Sequence, residues 1–187
     1  LSQDGYYFIE PGSGYLACGY VAKGRMEEPM QILSVINKFF TQQENVVKSS
    51  FSGKHALVTA GPTVEVIDPV RYVSNRSSGK MGYAIAEALR DKGAIVTLIS
   101  GPTHLSLPEG INVVKVESAE DMFQAVTERF AKQDIVIKAA AVSDYTPMDI
   151  LEHKLKKQEG GLSVQFKRTK DILKYLGENK THQYLVG

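Results

Sequence analysis

The chain holds a single cysteine, Cys18, so no internal disulfide can form, and a reducing cytoplasm is the natural home for such a sequence. Long apolar runs are missing too. No stretch approaches the length needed to span a bilayer and no signal-peptide pattern opens the chain, which argues against a membrane protein. Neither sign of charge is in excess: 22 Lys and Arg stand against 21 Asp and Glu, a net charge of +1. A broad nucleic-acid or membrane surface needs clustered cations, so both partners are disfavoured. The four histidines, His55, His104, His153 and His182, show no ligand spacing, and no protein-built metal site is expected. Internal repeats and low-complexity segments are lacking as well. The sequence opens on Leu1 rather than Met, which is expected of a piece of something longer.

What is there reads as an ordinary globular protein, with 43% hydrophobic and 23% charged residues. The length suits one sizeable domain, or a smaller one with a fragment attached. Residues 1–25 carry short apolar runs such as "YYFIEP", read as a strand followed by an irregular loop. Pro29 opens an amphipathic helix with Ile32, Val35, Ile36 and Phe39 on one face. The polar stretch 41–54, "TQQENVVKSSFSGK", reads as a linker at a domain boundary.

A different rhythm follows. "HALVTA" (55–60), "AIVTLIS" (94–100), "NVVKVE" (112–117) and "DIVIKAAAV" (134–142) read as buried strands. Between them, "GKMGYAIAEALRDKG" (79–93) reads as a helix burying Met81, Ile85, Ala88 and Leu89, closed by Gly93. Ser118 caps another helix that buries Met122, Ala125, Val126 and Phe130. Alternating strands and helices imply right-handed crossovers and an α/β, Rossmann-like, doubly wound and mostly parallel sheet with helices on both faces.

Ligands of such sheets collect beyond the carboxyl ends of the strands, where three segments emerge: "GPTVEVIDPVRYVSNRSSG", "GPTHLSLPEG" and "AAAVSDYTP". The first runs from Gly61 to about Ser78, long for a strand-to-helix connection, and long connections are usually functional or disordered. It places Ser77, Ser78 and the N–H groups of Gly79 and Lys80 at a helix start, near Arg71 and Arg76, where an anion is favoured. The alternative is that Ser77 or Ser78 only caps the helix. Neither the dinucleotide pattern G-x-G-x-x-G nor the P-loop pattern is present. The second strand ends "LISGP", without the carboxylate that holds a dinucleotide ribose, so hydride transfer is the weaker hypothesis.

The runs "TAGPTVEVIDPVRYVSNRSSGKMGYAIAEAL", "AAAVSDYTP" and "HKLKKQ" resemble the phosphopantothenoylcysteine synthetase domain of the bacterial bifunctional coenzyme A biosynthesis family. Upstream, "SGYLACGYVAKGRMEEP" resembles the closing motif of the flavin-dependent decarboxylase that precedes that domain. The resemblance covers nearly the whole chain. It implies that residues 1–40 are the tail of an FMN-dependent decarboxylase, 41–54 a linker, and 55–187 a synthetase domain that continues further in the family. The implied activity is ligation of 4′-phosphopantothenate to cysteine: CTP, with Mg²⁺, activates the carboxylate as an acyl-cytidylate, which the cysteine amine then attacks. Three anionic groups must meet, which calls for cations and helix N-termini.

On the same footing, the resemblance gives Asn75 the handling of the acyl-cytidylate, Arg71 a substrate-side anion contact, and Lys154 the charge on the transferring phosphate. Lys138, Ala139, Ala140, Ala141 and Asp144 fall on its nucleotide-binding turn. Lys170, Asp171, Ile172 and Leu173, in "KRTKDIL", align with a segment near the nucleotide, although Lys170 stands where the family often has proline. Gly61, Ser77, Ser78 and Gly79 would receive phosphate. Cys18 matches the decarboxylase proton donor. Read without the resemblance, Arg71 fits a surface arginine, the three alanines tight core packing, the "HKLKKQ" lysines a solvated face, and Cys18 an inert buried thiol. Homo-oligomers are implied, since synthetase domains of the family pair and decarboxylase domains form trimers. The competing hypotheses are a nicotinamide oxidoreductase and a non-catalytic oligomerisation fragment.

Overall fold

A computed structural model of the chain describes residues 8–15, 21–46, 50–156 and 160–187. The chain divides into two compact units, Leu1–Lys48 and Ser49–Gly187. In the first, β1 (Gly12–Tyr15) pairs antiparallel with β2 (Val21–Arg25), ahead of α1 (Pro29–Val46). The strand expected on "YYFIEP" lies partly outside the described residues; its described residues 8–11 carry none, and pairing is seen from Gly12, after Pro11, which has no N–H to give a ladder. Helix α1 starts at Pro29 as expected, and the amides of Gln31 and Ile32 donate to the Glu28 carbonyl at 2.9 and 3.1 Å. It runs on to Val46, into the stretch read as linker, and Leu33, Val35 and Ile36 are exposed on it.

The second unit is built on a parallel sheet. Its strands are β3 (His55–Ala60), β6 (Ile95–Ser100), β7 (Asn112–Lys115), β8 (Ile135–Lys138) and β11 (Tyr184–Val186), in the order β11-β8-β3-β6-β7. Side chains alternate across β3, which is why one short apolar run can serve two cores. Ala56, Val58 and Ala60 pack with Val96 and Leu98 under Tyr83, Ala86 and Leu89 of α2 (Lys80–Asp91). Leu57 and Ile99 pack on the other face under Met122, Ala125, Val126 and Phe130 of α3 (Ala119–Phe130), with Ile172 and Leu176 of α4 (Ile172–Asn179). Leu57, Leu98, Ile99 and Met122 are fully buried, each worth about 1.5–3 kcal/mol in apolar burial. Helices on both faces of a parallel sheet make the Rossmann-like arrangement expected from the sequence.

Helix α3 has the expected face and cap: the Ser118 hydroxyl accepts from the Asp121 amide at 3.1 Å, and the Asp121 carboxylate accepts from the Ser118 amide at 2.9 Å. Helix α2 buries Leu89 and packs Ile85 against the core as expected, but the rest of its buried face is shifted. Met81 is 65% exposed and Ala88 is exposed, while Gly82, Tyr83, Ala86 and Leu89 are buried. Gly82 is the cause. A Cβ there would lie 2.5 Å from the Ala60 Cβ, so this face seats α2 close against β3, and a glycine carries no hydrophobic signal. Strand β8 also stops at Lys138, earlier than the apolar run suggests, because the alanines after it turn over the end of β3. Two short antiparallel pairs complete the unit: β4 (Val64–Val66) with β5 (Tyr72–Ser74), and β9 (Tyr145–Pro147) with β10 (Phe166–Arg168).

Candidate functional site

From β3 the chain moves through β6 to β7 on one side, then crosses by α3 to β8 and β11 on the other. The order reverses between β3 and β8, and at such a switch point the loops part to leave a crevice. A cleft of about 840 Å³ opens there, lined by Lys138, Ala140, Ala141 and Asp144 on one wall and by Arg168, Thr169, Lys170, Asp171, Ile172 and Leu173 on the other. Two segments singled out separately in the sequence therefore share one site. Thr169 joins them, its amide donating to the Asp144 carbonyl at 2.9 Å and its hydroxyl to the Ser143 carbonyl at 2.7 Å.

Lys138 is half-buried at the end of β8, and burial pushes its ammonium pKa down. The nearby carboxylates of Asp171 and Asp144 act the other way without cancelling that effect. A partly desolvated cation in a cleft is a strong partner for an incoming anion. Asp171 is also the N-cap of α4, its carboxylate accepting from the Lys174 amide at 3.0 Å. Ile172 is buried beneath the cleft and Leu173 is exposed. Lys170 is already engaged: its ammonium lies 2.8 Å from Glu120 and 4.5 Å over the Phe123 ring.

Ala139, Ala140 and Ala141 spend their amides inside the fold. They donate to the Thr59 carbonyl (3.2 Å), the Thr59 hydroxyl (3.3 Å) and the Gly61 carbonyl (2.8 Å). What this turn offers a ligand is space beside the small side chains of Ala140 and Ala141, for Ala139 does not line the cleft and the Ala141 carbonyl is itself engaged. Asn75 reaches it from the β5–α2 connection, Nδ2 donating to the Ala141 carbonyl at 3.1 Å, which leaves its second N–H and its own oxygen for other partners. Thr63, fully buried, ties both loops together. Its amide donates to the Ala141 carbonyl (3.2 Å), its hydroxyl accepts from the Ser143 amide (3.0 Å), and its carbonyl accepts from the Ser74 hydroxyl (2.7 Å).

Beside this lies the serine-glycine turn. Gly79 caps α2 at φ 76 and ψ −7 with no side-chain cap, and Gly61 sits against it at φ 76. The Ser77 hydroxyl accepts from the Gly79 amide at 3.3 Å, and the Ser78 hydroxyl lies 3.5 Å from the Lys80 amide, so both serines serve the turn itself. From the second loop, Gly101 comes so close to Pro62 that a Cβ would fall on the Pro62 carbonyl oxygen.

Arg71 and the Leu155 backbone next to Lys154 belong to a second cluster, centred on a residue the sequence reading passed over. Asp68 is buried, and its carboxylate accepts from the amides of Val70 and Arg71 (both 2.8 Å), the Arg71 guanidinium (2.6 Å) and the Leu155 amide (3.1 Å). Burial alone would raise its pKa, but the hydrogen bonds from Val70, Leu155 and Arg71 outweigh it and lower the value from 3.8 to about 2. The Asp-Pro turn three residues before an arginine was the local signal available. Lys154 itself is exposed. Cys18 and Lys157 lie outside the described residues. Among the described residues, no group of three or more His, Cys, Asp or Glu converges to hold a metal ion, and no helix is long and apolar enough to cross a membrane.

A doubly wound α/β unit with a cation-lined cleft at its switch point places the chain in the Rossmann-like class of folds. Residues 51–187 match the family described as DNA/pantothenate metabolism flavoprotein C-terminal domain, and the chain belongs to it. The chain is 54% identical over 188 residues to the coenzyme A biosynthesis bifunctional protein CoaBC of Bacillus subtilis, covering 100% of this chain and 46% of that protein. It is 45% identical over 188 residues to the protein of the same name from Haemophilus influenzae, again covering 46% of it. The chain thus spans about half the length of these curated relatives. A solved structure of the C-terminal domain of CoaBC superposes with a TM-score of 0.64 at 50% identity, over 72% of this chain and 63% of that one.

Proposed function

We propose that Ser49–Gly187 is the catalytic core of a CTP-dependent phosphopantothenate–cysteine ligase, within a protein that also decarboxylates the product. The observation that carries this reading is the meeting of "KAAAVSDY" and "KRTKDIL" on one cleft at the switch point, with half-buried Lys138 lining it alongside Asp144 and Asp171. The names of the Bacillus and Haemophilus relatives support the pathway.

In this reading the carboxylate of 4′-phosphopantothenate attacks the α-phosphorus of CTP, and pyrophosphate leaves with the electrons of the broken P–O bond. The cysteine amine then attacks the acyl carbon, CMP departs, and the amine loses a proton. Lys138 and Lys154 supply positive charge to the phosphates, worth most where water is excluded. Asn75, with one N–H fixed on Ala141, points its remaining amide functions at the acyl group. The small side chains of Ala140 and Ala141 leave room for the ligand against the sheet. The carboxylates of Asp144 and Asp171 favour the charged form of Lys138.

Mg²⁺ would arrive with the triphosphate. Asp144 and Asp171 are the carboxylates that border the cleft, and they build no cage of their own. FMN belongs to the decarboxylase part of the proposal. The described residues of the first unit are a hairpin and one helix exposing Leu33, Val35 and Ile36, which is no enclosure for an isoalloxazine ring.

Ligand-dependent melting with Mg²⁺ present tests the function. A Tm that rises with CTP and not with NAD(P)H supports the ligase. A rise with NAD(P)H alone supports an oxidoreductase, and no rise with any nucleotide supports a non-catalytic fragment.

A further inference from the structure

Lys154 stands in a stretch, residues 149–156, that has neither helix nor strand to hold it in place. Something else must fix it. The neighbouring Leu155 is half-buried while Lys154 and Lys156 are exposed, so the backbone is anchored at 155 and the lysines project from the anchor.

Both polar groups of Leu155 are held by one pair of side chains. Its amide donates to the Asp68 carboxylate at 3.1 Å, and its carbonyl accepts from both terminal nitrogens of Arg71 at 3.4 Å. Arg71 is in turn fixed by Asp68 at 2.6 Å. The Asp68 side chain is wholly buried and its other oxygen is held by the amides of Val70 and Arg71, so the carboxylate has a single position. A second tie, the Leu151 amide on the Ile67 carbonyl at 3.0 Å, holds the start of the same stretch to the same turn.

We propose that the Asp68–Arg71 pair is a latch that positions Lys154 for the phosphates, with Asp68 as the positioning residue and the Leu155 peptide as the part it grips. The catalytic half of this statement rests on the ligase reading; the mechanical half does not. An aspartate is suited to the task because its carboxylate accepts four hydrogen bonds at once. Asparagine has one acceptor oxygen and would turn N–H groups toward other donors. Arg71, on this view, acts first through the loop.

Three variants of the full chain test the latch: Asp68→Asn, Lys154→Gln and the double. In Asp68→Asn, hydrogen exchange at the Leu155 amide should quicken by about tenfold or more, the loss expected of a charge-assisted hydrogen bond. Release of pyrophosphate from CTP in the presence of 4′-phosphopantothenate should lose kcat with KM for CTP nearly unchanged. The double variant should be no slower than Lys154→Gln alone, because a latch without its lysine has nothing to position. Should Asp68→Asn fail to fold, Leu155→Pro removes the same amide donor and leaves Asp68 its other three partners. Unchanged Leu155 exchange in Asp68→Asn, or protection of residues 151–156 as in wild type in Leu155→Pro, would overturn the latch. A double variant slowed by the product of the two single effects would overturn positioning through Lys154. If Lys154→Gln alone releases pyrophosphate at the wild-type rate, the ligase reading of that lysine fails, while the exchange result still decides the latch.

Discussion

Gly79→Ala probes the joint on which the site is built. Gly79 has φ 76, and a left-handed conformation costs a residue with a Cβ about 1–2 kcal/mol. The added Cβ would also lie 2.8 Å from Thr103 Cγ2 and 3.3 Å from the Cα and N of Gly61. Thr103 comes from the β6 loop and Gly61 from the end of β3, so neither can retreat without moving a loop of the site. Overpacking of this kind costs about 1–3 kcal/mol, for a total of roughly 2–5 kcal/mol. In a body of this size that lowers Tm by roughly 5–15 °C. Thr103→Ser removes the clashing methyl and keeps the hydroxyl that donates to Tyr83 at 3.2 Å. Differential scanning calorimetry of Gly79→Ala, Thr103→Ser and the double variant separates the two costs: the double should recover the overpacking share and retain the left-handed share. A Gly79→Ala variant melting within a degree of wild type, or a double variant worse than the sum of the singles, would refute the packing argument.

Three further outcomes are expected. Lys138→Met should raise Tm in the free protein, because burial already disfavours the ammonium there, and should weaken CTP binding by about tenfold to a hundredfold in calorimetry; a lower Tm with unchanged affinity would contradict this. Asp68 has a depressed folded pKa, so its contribution to stability is complete above its unfolded value of 3.8 and is lost as pH falls toward about 2. Urea melts across that window should show wild type losing stability with acid more steeply than Asp68→Asn; parallel curves would contradict the assignment. Asn75→Asp should set a carboxylate against the Ala141 carbonyl and slow formation of the final product on the order of a hundredfold, with acyl-cytidylate accumulating on chromatography. Unchanged turnover would remove Asn75 from the second step.

The sheet was legible because β3 and β6 are apolar on both faces and α3 repeats Met122, Ala125, Val126 and Phe130 at helical spacing beneath a capping box. The cleft was legible in part, since Lys138–Asp144 and Lys170–Leu173 were each marked, though only the fold shows that Thr169 pins them together. Short elements escaped. The β4–β5 hairpin has three residues a strand, too few to establish a period, and it turns a supposedly structureless loop into an ordered one. Helix α4 buries only Ile172 and Leu176, and the three-residue β11 gains its place from pairing with β8. Asp68 had its Asp-Pro turn as a local mark, but its link to Leu155, 87 residues away, is recorded by no local pattern.

The most direct test of the central claim, that the cleft between Lys138–Asp144 and Arg168–Leu173 receives a pyrimidine triphosphate, is an NMR titration of the ¹⁵N-labelled chain with CTP and Mg²⁺. Saturable shifts concentrated in residues 138–145 and 168–174 are expected, and they should be lost in Lys138→Met. A titration that leaves those amides unmoved at saturating nucleotide, or moves only amides elsewhere, would contradict it.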